Sequence, residues 1–352
     1  MSRQAKQPTR NKSNAAKTPR KRHRALRALA WIAGILAVLT ALPYLFPLRV
    51  YDPYSGTPPH ENGHYIEIVE QTFYYRIFTP PEGTASKGRI LLVHGFGGST
   101  NSWNATAPEL ASLGYLVVAA DLPGFGYSEK KRIDPSYTHE SNAQNLWLLA
   151  DIVVPVDRSV GGWILVGHSM GGGVVSRMAA LRPDRTARVV LVDGAVLGSS
   201  GNTGSSGFVK TLLAWPPFAR AATGVIDRVL QNPKNIRSML ASAYGREPTA
   251  SELTSYSAPL AVPGTAASLV SIMQGSSQDE DVTQRLKGSG VPVSLVWGSV
   301  DSWVMPAQGA EVARLLEVPL RLVDGAGHCP METHPTEFMK ILVDELGPEA
   351  IP

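Results

Sequence analysis

The chain has 352 residues, 43% hydrophobic and 18% charged, a balance that excludes a disordered protein. Ten of its 33 Lys and Arg lie in residues 1–27, which hold no Asp or Glu, so 23 face 29 acids in the rest. The formal +4 thus belongs to a tail and does not mark a nucleic-acid-binding domain, and a single cysteine, Cys329, excludes an internal disulfide framework.

Residues 1–27 are basic and polar, with too little apolar surface to offset the entropy of ordering, and are expected to be disordered. From Arg27 to Arg49 no charge intervenes, and "ALAWIAGILAVLTALPYLF" spans about 28 Å as a helix, close to a hydrocarbon core. Trp31 and Tyr44 sit toward its ends, where amphipathic rings prefer the interface. The run is longer than a usual signal core and no A-x-A site follows it. Residues 28–48 are therefore expected to be an uncleaved anchor, with the basic terminus cytoplasmic and the remainder extracytoplasmic. Residues 49–64, rich in Pro and Gly, read as a linker.

Next, "YIEIVEQTFYYRIF" (65–78) predicts a hairpin, and "RILLVHG" (89–95) a strand buried on both faces. A helix near 102–113, a strand at 115–124, a helix over 140–153, the strand "WILVGHS", a helix over 170–181 and a strand at 188–194 follow. That alternation predicts a mainly parallel, doubly wound α/β sheet. It stops over 196–287, where "GSSGNTGSSG" leads into short helices broken by Pro and Gly, and resumes with a strand at 291–298, a helix, a strand at 320–327 and a last helix over 334–346. The expected division is a core of 65–195 and 288–348 with a helical lid, 196–287, inserted in it.

Ligands of open parallel sheets bind beyond the carboxyl ends of the strands. There "GHSMG" (167–171) fits G-x-S-x-G, in which a serine is raised on a tight strand-to-helix turn. The glycines do not make a phosphate loop, since no G-x-x-x-x-G-K-[ST] is present. A serine nucleophile needs a base and an orienting acid. The last strand runs into "GAGHCP", giving His328, and the one before into "GSVDSWV", giving Asp301. Asp193 and Asp324 are rivals for the acid, Asp193 by its strand-end position and Asp324 by its nearness to His328. "HGFGGS" (94–99) lets the backbone approach a substrate oxygen, so the amides of Phe96 and Met170 are the expected oxyanion donors. Gly95, Gly97 and His168 are expected to line the substrate site. His94 and His168 are expected to hold turns, and Asp121 to fix backbone. Cys329 reads as a space-filler, and Asn104 lies in a three-residue glycosylation pattern.

With "HGFGG", "DLPGFGYS", "GHSMGG", "WGSVD" and "GAGH" in this order, residues 65–346 resemble the α/β-hydrolase superfamily, in its lidded serine esterase and lipase-like branch. The resemblance implies a hydrolase without cofactor or metal. A small-molecule ester is the expected substrate, lipid-like given "FVKTLLAWPPFARAA" in the lid. The alternatives are a carbon–carbon bond hydrolase or acyltransferase on the same triad, or a non-catalytic binding protein of this fold.

Overall fold

The computed structural model describes residues 19–49, 58–130, 137–154, 161–197, 209, 211–275 and 282–347. The glycine-serine stretch 198–207 and most of the expected N-terminal tail lie outside them. The chain divides into two compact units, one ending at Phe46 and the other starting at Pro47.

In the first unit, helix α1 (Pro19–Ala41) takes in part of the basic stretch, which Lys and Arg permit as good helix formers. A 3-10 turn, Leu42–Leu45, ends it at Pro43. Leu26–Leu45 forms 20 residues of mean hydropathy 2.0 with none buried, long and apolar enough to cross a membrane.

The second unit is built on one eight-stranded sheet in the order β1-β2-β4-β3-β5-β6-β7-β8. β1 (Gly63–Ile68) and β2 (Gln71–Phe78) form the expected hairpin, turned by Val69 and Glu70 with φ of 48° and 60°. β2 pairs antiparallel with β4 (Tyr115–Ala120). β3 (Gly88–Val93), β5 (Trp163–His168), β6 (Thr186–Val192), β7 (Val293–Gly298) and β8 (Leu320–Val323) continue the sheet in parallel. Alternation along β3 serves two cores at once: Leu91 and Val93 pack on one face, Ile90 and Leu92 on the other. β6 repeats it with Val189 and Leu191 against Val190 and Val192. The first face is covered by α3 (His139–Val153), α4 (Met170–Leu181) and α10 (Pro306–Leu316), through residues such as Leu146, Met178 and Val312. The second is covered by α2 (Thr106–Ser112) and α12 (Pro335–Leu346), through Leu110, Phe338 and Leu342.

Three expected elements differ in extent. The helix near 102–113 is a 3-10 turn, Thr100–Trp103, and then α2, because Pro108 has no N–H to extend α2 backward. β4 ends at Ala120, where the Asp121 carboxylate takes the N–H groups of Thr100 (2.5 Å) and Tyr127 (2.6 Å) and turns the backbone out of the ladder. The last helix is preceded by a separate turn, α11 (Pro330–Thr333), and restarts at Pro335.

Between β6 and β7 run α5 (Pro216–Leu230), α6 (Pro233–Tyr244), α7 (Ala250–Leu260), α8 (Thr265–Gly275) and α9 (Val282–Gly288). The chain leaves β3 toward β4 on one side and enters β5 on the other. Their adjacent carboxyl ends therefore form the crevice where such sheets bind ligands.

Candidate active site

Ser169 is the single residue between β5 and α4, with φ 50° and ψ −118°. A non-glycine residue held there costs on the order of 1–3 kcal/mol, which the surroundings must supply. Its N–H donates to Val192 O (2.9 Å), and its carbonyl accepts from Gly172 (2.9 Å) and Ala195 (3.0 Å). The turn also needs glycine beside it, since a Cβ on Gly171 would lie 2.5 Å from Val93 O.

The loops after β7 and β8 bring the other two residues to it. His328 Nε2 lies 2.9 Å from Ser169 Oγ, and His328 Nδ1 lies 2.7 Å from Asp301 Oδ2. A proton on Nδ1 donates to the carboxylate, which leaves Nε2 to accept from the serine hydroxyl. Asp301 Oδ1 accepts from the N–H groups of Trp303 (2.7 Å) and Val304 (3.1 Å), so the acid is fixed by its own turn. Burial works to raise Asp301, but the hydrogen bond and charge of His328 and the Trp303 N–H outweigh it and hold the carboxyl below its usual range.

Asp193 stands behind this acid. Its Oδ1 accepts from Gly298 N–H (2.9 Å), and among the described residues Oδ2 has no hydrogen-bond partner. Burial, and then the Asp301 charge, push Asp193 well above the usual carboxylate range, which favours its protonated form beside Asp301. Atoms of Asp193, Asp301 and His328 lie within 4.8 Å of one another. An ion bound at ~2.1 Å to both Asp301 and His328 would hold them about 3 Å apart or more, and their 2.7 Å contact is a hydrogen bond instead. Asp324 faces Ser299 Oγ at 3.4 Å.

The loop after β3 runs against the same serine. A Cβ on Gly95 would lie 2.8 Å from His168 Nδ1 and 2.9 Å from Ser169 Cβ. Gly97, with φ of 71°, makes the turn that follows. His94 holds this loop, with Nδ1 on Gly95 O (2.7 Å) and Nε2 accepting from Leu122 N–H (3.0 Å). Burial lowers His94 to about 4 and His168 to about 3, so both rings are neutral tethers. His168 Nε2 donates to His328 O (2.7 Å) and ties the base loop to the nucleophile strand. Among the described residues, the backbone N–H groups of Phe96 and Met170 donate to no acceptor.

A cavity of about 250 Å³ opens over Ser169 and His328. Gly95, Phe96, Gly97 and His168 line it on the sheet side, while Leu230, Met239, Leu240, Leu260 and Leu269 line it from α5 to α8. Sequence reading missed Trp303, whose ring stacks on His328 with centroids 5.3 Å apart and 28° between planes. Trp303 Nε1 donates to Ser242 Oγ (3.1 Å), so α6 holds the ring that covers the base. It also missed Glu332, which accepts from Tyr244 (2.6 Å) and Tyr256 (2.7 Å) just behind the cavity wall. The two-residue step from Asp301 was the one signal for Trp303; nothing local marked Glu332.

A parallel sheet with this turn after its fifth strand defines a hydrolase architecture. Residues 90–341 match the alpha/beta hydrolase family, and the chain belongs to it. It is 30% identical over 264 residues to the dihydrolipoyllysine-residue acetyltransferase component of the acetoin cleaving system of Cupriavidus necator. That match covers 73% of this chain, which spans 63% of the relative's length. It is 25% identical over 292 residues to the 2-hydroxy-6-oxononadienedioate/2-hydroxy-6-oxononatrienedioate hydrolase of Burkholderia vietnamiensis, covering 80% of this chain and 94% of that protein. Among solved structures, a membrane phospholipase A shares the fold, with a TM-score of 0.62 and 24% identity over 94% of this chain and 98% of that one.

Proposed function

We infer that the protein is a membrane-anchored serine hydrolase that cleaves carboxylic esters with apolar acyl groups. The observation that carries this is the hydrogen-bonded series Asp301–His328–Ser169, ending on a serine in a strained turn. Ser169 Oγ attacks the ester carbonyl as its proton passes to His328 Nε2. Asp301 stabilises the imidazolium, and the Phe96 and Met170 N–H groups hold the oxyanion. His328 returns the proton to the leaving alcohol, and a water activated by the same ring releases the acid. Residues 196–287 act as a lid that sets acyl fit, and Leu26–Leu45 spans the membrane with the hydrolase unit outside.

The cavity wall favours esters over the dicarboxylates named for the Burkholderia relative. Among the described residues it presents no Lys or Arg to a charged substrate, and four leucines, Met239, Phe96, Tyr256 and Trp303 give it a broad apolar lining. Full-length protein and Ser169→Ala are to be treated with a fluorophosphonate probe and a series of p-nitrophenyl esters. Labelling and turnover are expected in the wild type alone, with kcat lost by roughly 10⁴-fold or more in the variant. Identical behaviour of the two proteins would overturn the reading.

A further inference from the structure

Helix α5 has two apolar sides. Leu230, at its end, lines the cavity over Ser169. On its outer side Trp215, Phe218, Ala222, Val225 and Val229 recur in steps of three and four residues, which aligns them along one stripe. Trp215, Phe218, Val225 and Val229 are 46%, 39%, 59% and 43% exposed, a large apolar strip for a protein surface.

Two further observations say what covers it. Asp227 on α5 takes a forked contact from Arg49, with Nη2 at 2.7 Å and Nε at 3.3 Å, and Arg49 Nη1 also donates to Ala261 O (3.1 Å) just past α7. Arg49 lies four residues beyond Leu45, where the apolar stretch ends. Charge agrees: residues 209–237 hold five Lys and Arg against one acid, Asp227, which Arg49 already neutralises. The body around them is net acidic.

We propose that α5 lies in the headgroup layer of the bilayer, its Trp215–Val229 stripe inserted among the acyl chains, so that the site draws its ester substrate directly from lipid. The inference rests on the anchoring and ester-cleavage readings above. The Arg49–Asp227 clamp ties α5 to the segment that follows the apolar stretch in sequence, and the proposal puts Trp215 where indole rings prefer the interface. On this proposal lipid enters beside Leu230, the α5 residue that lines the cavity over Ser169.

The test uses full-length protein in phosphatidylcholine vesicles doped with phosphatidylglycerol. Brominated acyl chains are expected to quench wild-type tryptophan fluorescence more than that of Trp215→Phe. In the double variant Phe218→Glu/Val225→Glu, hydrolysis of a vesicle-embedded fluorogenic diacyl ester is expected to fall roughly tenfold or more. Its fluorophosphonate labelling and its turnover of soluble p-nitrophenyl butyrate are expected to stay within about twofold, since neither residue touches the cavity. Equal quenching in wild type and Trp215→Phe would overturn the proposal even if the double variant failed to fold. So would vesicle activity unchanged by the two glutamates. Absence of labelling and ester turnover in the wild type would instead sink the hydrolase reading, and the Trp215 quenching still reports on docking by itself.

Discussion

The carboxyl edge of the sheet and the helices α5–α8 meet over one cavity but are held by different forces. At the edge, Ser169, Asp301 and His328 take their positions from backbone hydrogen bonds: Ser169 N–H on Val192 O, Trp303 N–H on the Asp301 carboxylate, His328 N–H on Ala243 O at 2.7 Å. Such bonds fix position to fractions of an ångström and leave few residue types permitted, which proton transfer requires. The helices instead line the cavity with Leu230, Met239, Leu240, Leu260 and Leu269, whose exchange alters shape and leaves the reacting groups in place. In the proposed reading chemistry and selectivity thus fall to different parts of the chain, joined where α6 offers the Ala243 carbonyl to His328 and Ser242 to Trp303.

Asp301→Asn presses hardest on that separation. The amide keeps the shape but presents an N–H or a weaker acceptor to His328 Nδ1, which favours the wrong tautomer. A fall in kcat of about 10⁴-fold is expected on every ester, with chain-length preference unchanged. Steady-state kinetics across an acyl series reads both quantities. A loss below roughly tenfold would mean that neutral Asp193, behind it, takes over the charge and that the edge is less rigid than its hydrogen bonds imply.

Glu332 tests the joint between the two regions. It follows the His328 loop, yet its carboxylate is held by Tyr244 of α6 and Tyr256 of α7. Burial raises it to about 7 from an ordinary 4.5, against the two tyrosine hydrogen bonds that work to lower it. A raised acid stabilises the fold fully below its unfolded value, near pH 4.5, and that contribution is lost as pH rises toward 7. Discounted for a half-buried side chain, the difference is on the order of 2 kcal/mol. Chemical denaturation of wild type and Glu332→Gln at several pH values is expected to show wild-type stability falling relative to the variant across that window. Parallel curves would show that the carboxyl titrates as it does in the unfolded chain.

The difference in what holds them explains which residues could be read from sequence. "HGFGG" and "GHSMGG" are legible because Gly95 and Gly171 face backbone or site atoms closer than any Cβ allows, so composition there records geometry. Strand ends were legible because buried parallel strands are continuous apolar runs, and the residue after each run falls at the same edge. Met239 and Leu240 carry no such mark. In "NIRSMLASAYG" they look like any apolar face of an amphipathic helix, and only the packing of α6 over the sheet turns them toward Ser169. Trp303 was hidden for the same reason, since its use depends on Ser242, 61 residues earlier, receiving its indole N–H.

The smallest effect is expected from Met239→Trp, and it is the most direct test of selectivity residing in the helices. Met239 is partly buried and lines the cavity without a hydrogen bond to the reacting groups. An indole there fills part of the roughly 250 Å³ that an acyl chain would occupy. The added bulk costs stability on the order of 1 kcal/mol, because thioether to indole is a small-to-large change in a packed wall. The ratio of kcat/KM for long over short acyl esters is expected to fall by about tenfold, through loss on the long chains, while the rate on the shortest ester holds. Competition between p-nitrophenyl acetate and decanoate in one reaction measures the ratio without an enzyme concentration. If the shortest ester slows as much as the longest, the indole has displaced the Ser169–His328 geometry through the α6 contacts at Ala243 and Ser242, and selectivity does not reside in the helices alone.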